Sequence, residues 1–147
     1  MFHWRLTSLA CLVCLAAVVS TSARAAQPVL TVGEYRHQAN AICSDFNRFQ
    51  LPAGGALADG LTAVVAKGRS SLTALRRLRP PRSLAKLHGE IVATNTQRVD
   101  LLASLVTQLK AEKITISQLA DRLARSPLVA DANALWKRAG AADCVQY

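Results

Sequence analysis

Apolar side chains recur three and four residues apart over most of this chain, and prolines or glycines separate the runs. This spacing places the apolar residues on one side of an α-helix, and no long stretch alternates with the period of two that a β-strand needs. Four such runs lie at about 31–51, 57–79, 81–111 and 115–139, and their periodicity predicts that Leu57 and Ile116 face inward. The pattern predicts an all-α fold, an up-down bundle of four helices formed by one domain over residues 26–147.

The ends of these helices carry specific signals. Thr31 and Thr115 each stand three residues before a Glu or Gln, which is the spacing of a capping box. Pro80–Pro81 ends the second run and begins the third, since proline disfavours helix at the residue before it and suits the first helical position. Pro127 is expected to kink or split the last helix, and Gly140 to end it.

The first 25 residues have the composition of a secretory signal peptide. Arg5 precedes an uncharged, mainly apolar stretch over 6–20, and the small residues Ala23 and Ala25 follow. We predict cleavage between Ala25 and Ala26, which places the mature protein in the cell envelope, the periplasm or the medium. An uncleaved membrane anchor is the alternative, although the stretch is shorter than the about 20 residues that span a bilayer.

The chain has four cysteines, and the predicted cleavage divides them into two pairs. Cys11 and Cys14 have C-x-x-C spacing but lie in the leader, where they serve as apolar residues. Cys43 and Cys144 remain, and an even pair in an exported protein indicates a disulfide. Two unpaired thiols or metal ligands are the alternative.

The positive charge of the chain is concentrated in one segment. Removing Arg5 and Arg24 with the leader leaves 16 basic and nine acidic side chains. The whole excess lies in a segment without acidic residues, which contains Lys67, Arg69, Arg76, Arg77, Arg79, Arg82 and Lys86. Such a segment predicts attraction to an anionic envelope polymer or membrane surface. A solvated helix surface is the competing interpretation.

Polar residues interrupt the apolar side of the third helix. Asn95, and partly Arg98, fall where apolar residues stand above and below, and His88 on the same helix is directed partly toward the core. A single polar position can fix the register of a bundle, and this is one interpretation. The other is a small polar pocket for a ligand that carries an anion. Tyr35 with His88 also permits haem ligation.

The residues needed for common enzyme chemistry are sparse. The predicted mature chain has two histidines, no G-x-S-x-G motif and no glycine-rich phosphate loop. We therefore predict a protein without catalytic activity, metal or cofactor. Aromatic residues are not interleaved with the basic segment, so neither base stacking nor sequence-specific binding of nucleic acid is expected.

Three short motifs carry a family resemblance: Ala39-Asn40-Ala41-Ile42-Cys43, the Pro80–Pro81 pair, and a Gly140 followed by Cys144. The chain resembles small exported all-helical proteins, common in actinobacteria, with A-N-x-I-C near the mature N-terminus and a late cysteine. The resemblance implies the helical bundle and the disulfide, but no activity. The predicted function is therefore binding or a structural role in the envelope or medium, with contact to anionic polymers or lipids through the basic segment. The alternative is a small-ligand carrier or an enzyme that uses a polar pocket around His88, Asn95 and Arg98.

Overall fold

The computed structural model describes residues 28–51, 54 and 56–145. Within these ranges the chain is helical and has no β-strand, which confirms the predicted all-α class. The described part of the chain forms five α-helices and two short 3-10 helices, the latter over Arg82–Leu84 and Ala142–Cys144. The α-helices are α1 (Val32–Asn47), α2 (Leu57–Arg77), α3 (Ala85–Lys110), α4 (Ile116–Ala124) and α5 (Leu128–Ala139).

The helices begin and end close to the predicted positions. Thr31 and Thr115 form complete capping boxes at the starts of α1 and α4. α2 ends two residues earlier than Arg79, because Leu78 already has extended backbone before Pro80–Pro81. The fourth apolar run is split into α4 and α5, and Pro127 occupies the N-cap of α5 rather than its first helical position.

The buried side chains form two separate clusters. The larger one joins α1, α2, α3 and α5 with the C-terminal 3-10 helix, and it contains the fully buried Tyr35 and Ile91 and the nearly buried Trp136. The smaller one is built from Leu105, Ile114 and Leu119 near the α3–α4 connection. α2 and α5 both pack along α3. This long helix contributes Ile91 to the larger cluster and Leu105 to the smaller one.

Two apolar residues that were expected to face the core are exposed instead. Leu57 retains 44% and Ile116 retains 53% of its accessible surface. Each is the first residue of its helix. Because the Cα–Cβ bonds of a helix tilt toward its N-terminus, the side chain of a first residue projects beyond the helix end.

The Cys43–Cys144 disulfide is present, and it joins α1 to the C-terminal 3-10 helix across 101 residues. Gly140 ends α5 in the left-handed conformation, with φ of 75°. At this end Arg36 Nε donates a hydrogen bond of 2.9 Å to the carbonyl of Ala139. The first helix therefore stabilises the end of the last one.

Polar side chains of α1 also bind the tail beside the disulfide. Asn40 Oδ1 accepts a bond of 3.2 Å from the amide of Asp143. Ser44 Oγ donates to the Asp143 carboxylate at 3.0 Å, and Asn47 Nδ2 donates to the Asp143 carbonyl at 3.0 Å. The positions of Asn40 and Cys43 in the A-N-x-I-C motif are thus used to hold the tail.

The predicted leader, with its cleavage between Ala25 and Ala26 and with Cys11 and Cys14, lies outside the described residues. Over the ranges that the structure describes, no helix has both the length and the apolar character needed to cross a bilayer.

Candidate functional site

The seven cations of the basic segment do not share one environment. Lys67 Nζ lies 2.5 Å from Asp45 Oδ2 of α1, in an ion pair. Arg76 Nη2 donates to Thr96 Oγ1 of α3 at 2.9 Å. These two side chains therefore lie on opposite flanks of α2 and each bridges it to a neighbouring helix.

The other five cations of the segment are exposed. Arg69 and Arg77 lie on α2, and the remaining three lie in the connection to α3 or in its first turn. Of these five side chains, all except that of Arg79 lack a hydrogen bond or ion pair with any described residue. We call the four exposed side chains Arg69, Arg77, Arg82 and Lys86 the basic corner.

His88 forms a pair with a tyrosine rather than with Asn95 and Arg98. Its Nδ1 lies 3.1 Å from the hydroxyl oxygen of Tyr35, and the rings meet edge to face. Burial raises the pKa of Tyr35 to about 12, so the phenol keeps its proton in its hydrogen bond with His88. Burial also lowers the pKa of His88.

Asn95 and Arg98 are joined to each other on one side of α3. Asn95 Nδ2 donates to the carbonyl of Ile91 at 2.9 Å, and its Oδ1 accepts from Arg98 Nη1 at 3.1 Å. Both side chains are half-buried, and removal from water lowers the pKa of Arg98. The amide thus orients a guanidinium that is partly removed from solvent.

These two residues line a pocket of about 280 Å³ between the helices. The pocket is surrounded by all five α-helices and by the disulfide, since both Cys43 and Cys144 contribute to it. Its wall is mostly apolar and includes Ile42, Phe46, Val64, Val65, Leu72, Leu75, Val99, Leu101, Leu102, Leu123, Leu128 and Val129. His88 is not among the lining residues.

The pocket accounts for an unusual feature of the apolar residues. Phe46, Val64, Val99 and Leu102 lie on the inner sides of their helices, yet each is only half-buried. They face the pocket between the two core clusters instead of each other. Proteins normally fill such space to close-packed density, so apolar walls around unfilled volume are a feature that needs explanation.

Gly68 sets the width of the pocket on the α2 side. A Cβ at this position would lie 3.0 Å from Val99 Cγ2 and 3.9 Å from Phe46 Cε2. Gly68 itself lines the pocket. α2 therefore approaches α3 closely at Gly68, where a Cβ would press against Val99 and would meet Phe46 at an ordinary van der Waals distance.

The pocket wall carries one kind of charge. Arg98 is the only ionisable side chain among the described lining residues that carries a charge, and no Asp or Glu is among them. The other polar groups of the wall are uncharged, and come from Asn47, Ser71, Asn95 and Ser126. The described wall of the pocket is thus mostly apolar, and Arg98 is its one charged side chain.

Comparison with known proteins gives no match: no family model, curated protein or solved structure shows significant similarity to this chain. Among the described residues, His, Cys, Asp and Glu nowhere gather in a group of three that could hold a metal ion.

The sequence marked Asn95 and Arg98 as polar interruptions, but it did not indicate the apolar wall around them. The sequence did contain one signal of the pocket. Asn95 and Arg98 interrupt the apolar side of α3, and the small residue Gly68 interrupts the apolar side of α2. The tail-binding residues Ser44 and Asn47 were also missed, because their partner Asp143 is about one hundred residues away.

Proposed function

We propose that this domain is a binding protein without catalytic activity that holds a small, mainly apolar ligand in the interhelical pocket. The observation that carries the proposal is a pocket of about 280 Å³ with mostly apolar walls, lined by residues of all five helices. We further propose that α1, α2, α3 and the α4–α5 pair form an up-down bundle around it, as their short connections favour.

The size of the pocket restricts the ligand. An engineered apolar cavity of about 150 Å³ in another protein binds benzene, a molecule of six carbon atoms. By proportion, a volume of about 280 Å³ suits a molecule of about a dozen non-hydrogen atoms. Small-molecule sites are typically apolar with a few placed polar groups, and this wall has that character.

Ligand binding would also complete the packing of the domain. The half-buried Phe46, Val64, Val99 and Leu102 would exchange contact with solvent for contact with the ligand. A ligand that binds only the folded state at 100 times its Kd stabilises that state by about 2.7 kcal/mol. A rise in Tm with ligand concentration is therefore expected.

The test is titration with 1-decanol, an uncharged amphiphile of the right size, followed by amide chemical shifts in NMR. We expect saturable shifts that concentrate at lining residues such as Gly68, Ser71 and Leu102. Val64→Phe places a larger side chain in the pocket and should abolish binding, whereas Val29→Phe, at an exposed position outside it, should not.

Absence of saturable shifts in the natural protein, both with 1-decanol and with its carboxylate analogue decanoate, would overturn the proposal. Shifts scattered over the surface, away from the lining residues, would do the same without any variant. Equal affinity of the Val64→Phe variant, if its circular dichroism is that of a folded helical protein, would also contradict it.

The basic corner supports a second candidate function, contact with an anionic polymer or membrane surface of the envelope. It rests on four exposed cations without partners among the described residues. Vesicles with acidic lipid, and separately an acidic wall polymer, should retain the protein at low salt and release it at high salt. Changing Arg77, Arg82 and Lys86 to Gln should weaken retention more than changing the exposed Lys113, Arg125 and Lys137.

Export is part of the same proposal. It is supported by the leader-like composition of residues 1–25 and is compatible with the disulfide, which oxidising compartments favour. The intact mass of the natural protein tests it, since a chain that begins at Ala26 and lacks two hydrogens is expected.

A further inference from the structure

We propose that the ligand of the interhelical pocket is a monocarboxylate with an apolar body, whose carboxylate binds Arg98 beside Asn95. This inference rests on the proposed function, because it requires that the pocket binds a small molecule. It adds the chemical class of the ligand and the residues that would select it.

The position of Arg98 is the first argument. Arg98 belongs to the wall of a pocket whose other described lining side chains carry no charge. In such surroundings the attraction between opposite charges is stronger than in water. A ligand with one negative charge therefore complements this wall better than a neutral or cationic one.

The geometry around Arg98 is the second argument. Asn95 is held by its bond to the carbonyl of Ile91, and its Oδ1 accepts from Arg98 Nη1. This contact limits the orientations of the guanidinium plane. A planar guanidinium presents paired N–H groups that match the two oxygens of a carboxylate, so an oriented arginine favours this headgroup.

The cost of partial burial is the third argument. Desolvation lowers the pKa of Arg98, which shows that its surroundings disfavour the charged form. A bound carboxylate would offset this cost by pairing with the cation. A single arginine also suits a monoanion better than a phosphate monoester, whose greater charge requires more donors.

The volume then limits the body of the ligand. Decanoate has twelve non-hydrogen atoms and 2-naphthoate has thirteen, close to the number that about 280 Å³ holds by comparison with the benzene cavity. One is a flexible chain and the other a rigid aromatic. The two compounds share the carboxylate headgroup, so comparing their affinities shows whether the pocket prefers a flexible chain or a rigid aromatic body.

The experiment compares four ligands on the same folded protein by calorimetry and NMR: decanoate, methyl decanoate, 1-decanol and 2-naphthoate. Hydrogen bonds to charged groups contribute about 1.5–3 kcal/mol, which corresponds to roughly 10- to 150-fold in affinity. We expect decanoate to bind at least about tenfold more tightly than 1-decanol or the methyl ester.

Variants assign this preference to one side chain. Arg98→Gln should remove the difference in affinity between decanoate and 1-decanol, with both affinities measured on the same folded variant. Arg98→Lys should restore part of the preference, because it keeps the charge. The matched control is Arg77→Gln, which removes an exposed cation that is not among the lining residues and should leave the preference intact.

The outcomes separate this inference from the proposed function. If 1-decanol binds in the pocket and decanoate binds no more tightly, the carboxylate assignment is wrong and the binding function stands. Retention of the preference in a folded Arg98→Gln variant would also overturn the assignment. If none of the four ligands binds at the lining residues, the proposed function itself is wrong.

Discussion

The Tyr35–His88 pair shows how one polar contact is placed at the edge of an apolar cluster. Tyr35 is fully buried, and its hydroxyl reaches half-buried His88 on α3 at 3.1 Å. The partners are 53 residues apart in sequence. The spacing along α1 and α3 placed both residues on inner helix sides, but it could not show that they meet, since that depends on how the two helices pack.

This pair predicts a pH dependence of stability. Burial lowers the pKa of His88 in the folded state below its ordinary value of 6.5, so the unfolded chain binds more protons. The contribution of His88 is therefore fully present above about pH 6.5 and is lost as the pH falls below that value.

Urea unfolding between about pH 7.5 and about pH 5.5 measures this effect, in a range where carboxyl groups remain ionised. We expect the midpoint to fall with pH in the natural protein, and to fall less in His88→Gln. His37 is exposed on α1, so His37→Gln is the matched control and should keep the dependence. Equal slopes in all three proteins would contradict the prediction.

At the scale of the elements, most boundaries followed from local chemistry. The Thr31 and Thr115 capping boxes, the Pro80–Pro81 break and the Gly140 stop were all predicted, because each depends on residues within one turn. The inward positions of Leu57 and Ile116 were predicted wrongly, because periodicity does not show that a side chain projects past its helix end.

Gly140, at the end of α5, and Gly89, inside α3, allow two opposite predictions about the free energy of unfolding. Gly140→Ala would force a left-handed residue to carry a Cβ, and this atom would lie 2.6 Å from Arg36 Nε. We expect a loss of about 1–2 kcal/mol in the free energy of unfolding. Gly89 lies inside α3, and a Cβ added there would meet nothing within 4 Å, so Gly89→Ala should raise stability by about 1 kcal/mol.

Chemical denaturation of the two variants under one condition decides this comparison. A Gly140→Ala protein as stable as the natural one would show that the α5 end relaxes without strain. A destabilised Gly89→Ala protein would show that this exposed face of α3 is in contact with something that the described residues do not include.

At the scale of the whole molecule, the sequence predicted the helical class and the disulfide. It offered a small polar pocket around His88, Asn95 and Arg98 as one interpretation, but it gave no sign of the apolar wall that surrounds Asn95 and Arg98. Asn95, Arg98 and Gly68 were recognisable one by one as departures from the apolar pattern. The volume between them depends on the distances between helices, which close approaches such as that of Gly68 to Val99 determine. No pattern within a single helix contains that information.

The disulfide predicts a large contribution to global stability. Closing a loop of about 100 residues restricts the unfolded chain by about 4–5 kcal/mol in the chain-entropy model, which is a large share of a typical domain's stability. We expect changing both Cys43 and Cys144 to Ala to lower the free energy of unfolding by up to that amount. Urea unfolding of this double variant checks it, and a change below about 1 kcal/mol would contradict the prediction.

The long separation of the bonded cysteines has a consequence for the order of events during synthesis. A ribosome adds about 5–20 residues per second, so Cys144 is made roughly 5–20 s after Cys43. During this delay the growing chain carries an unbonded Cys43, and Cys11 and Cys14 are the only other thiols already made. Recombinant production from a gene that lacks the codons for residues 1–25 would remove both competitors and leave one possible intramolecular pairing.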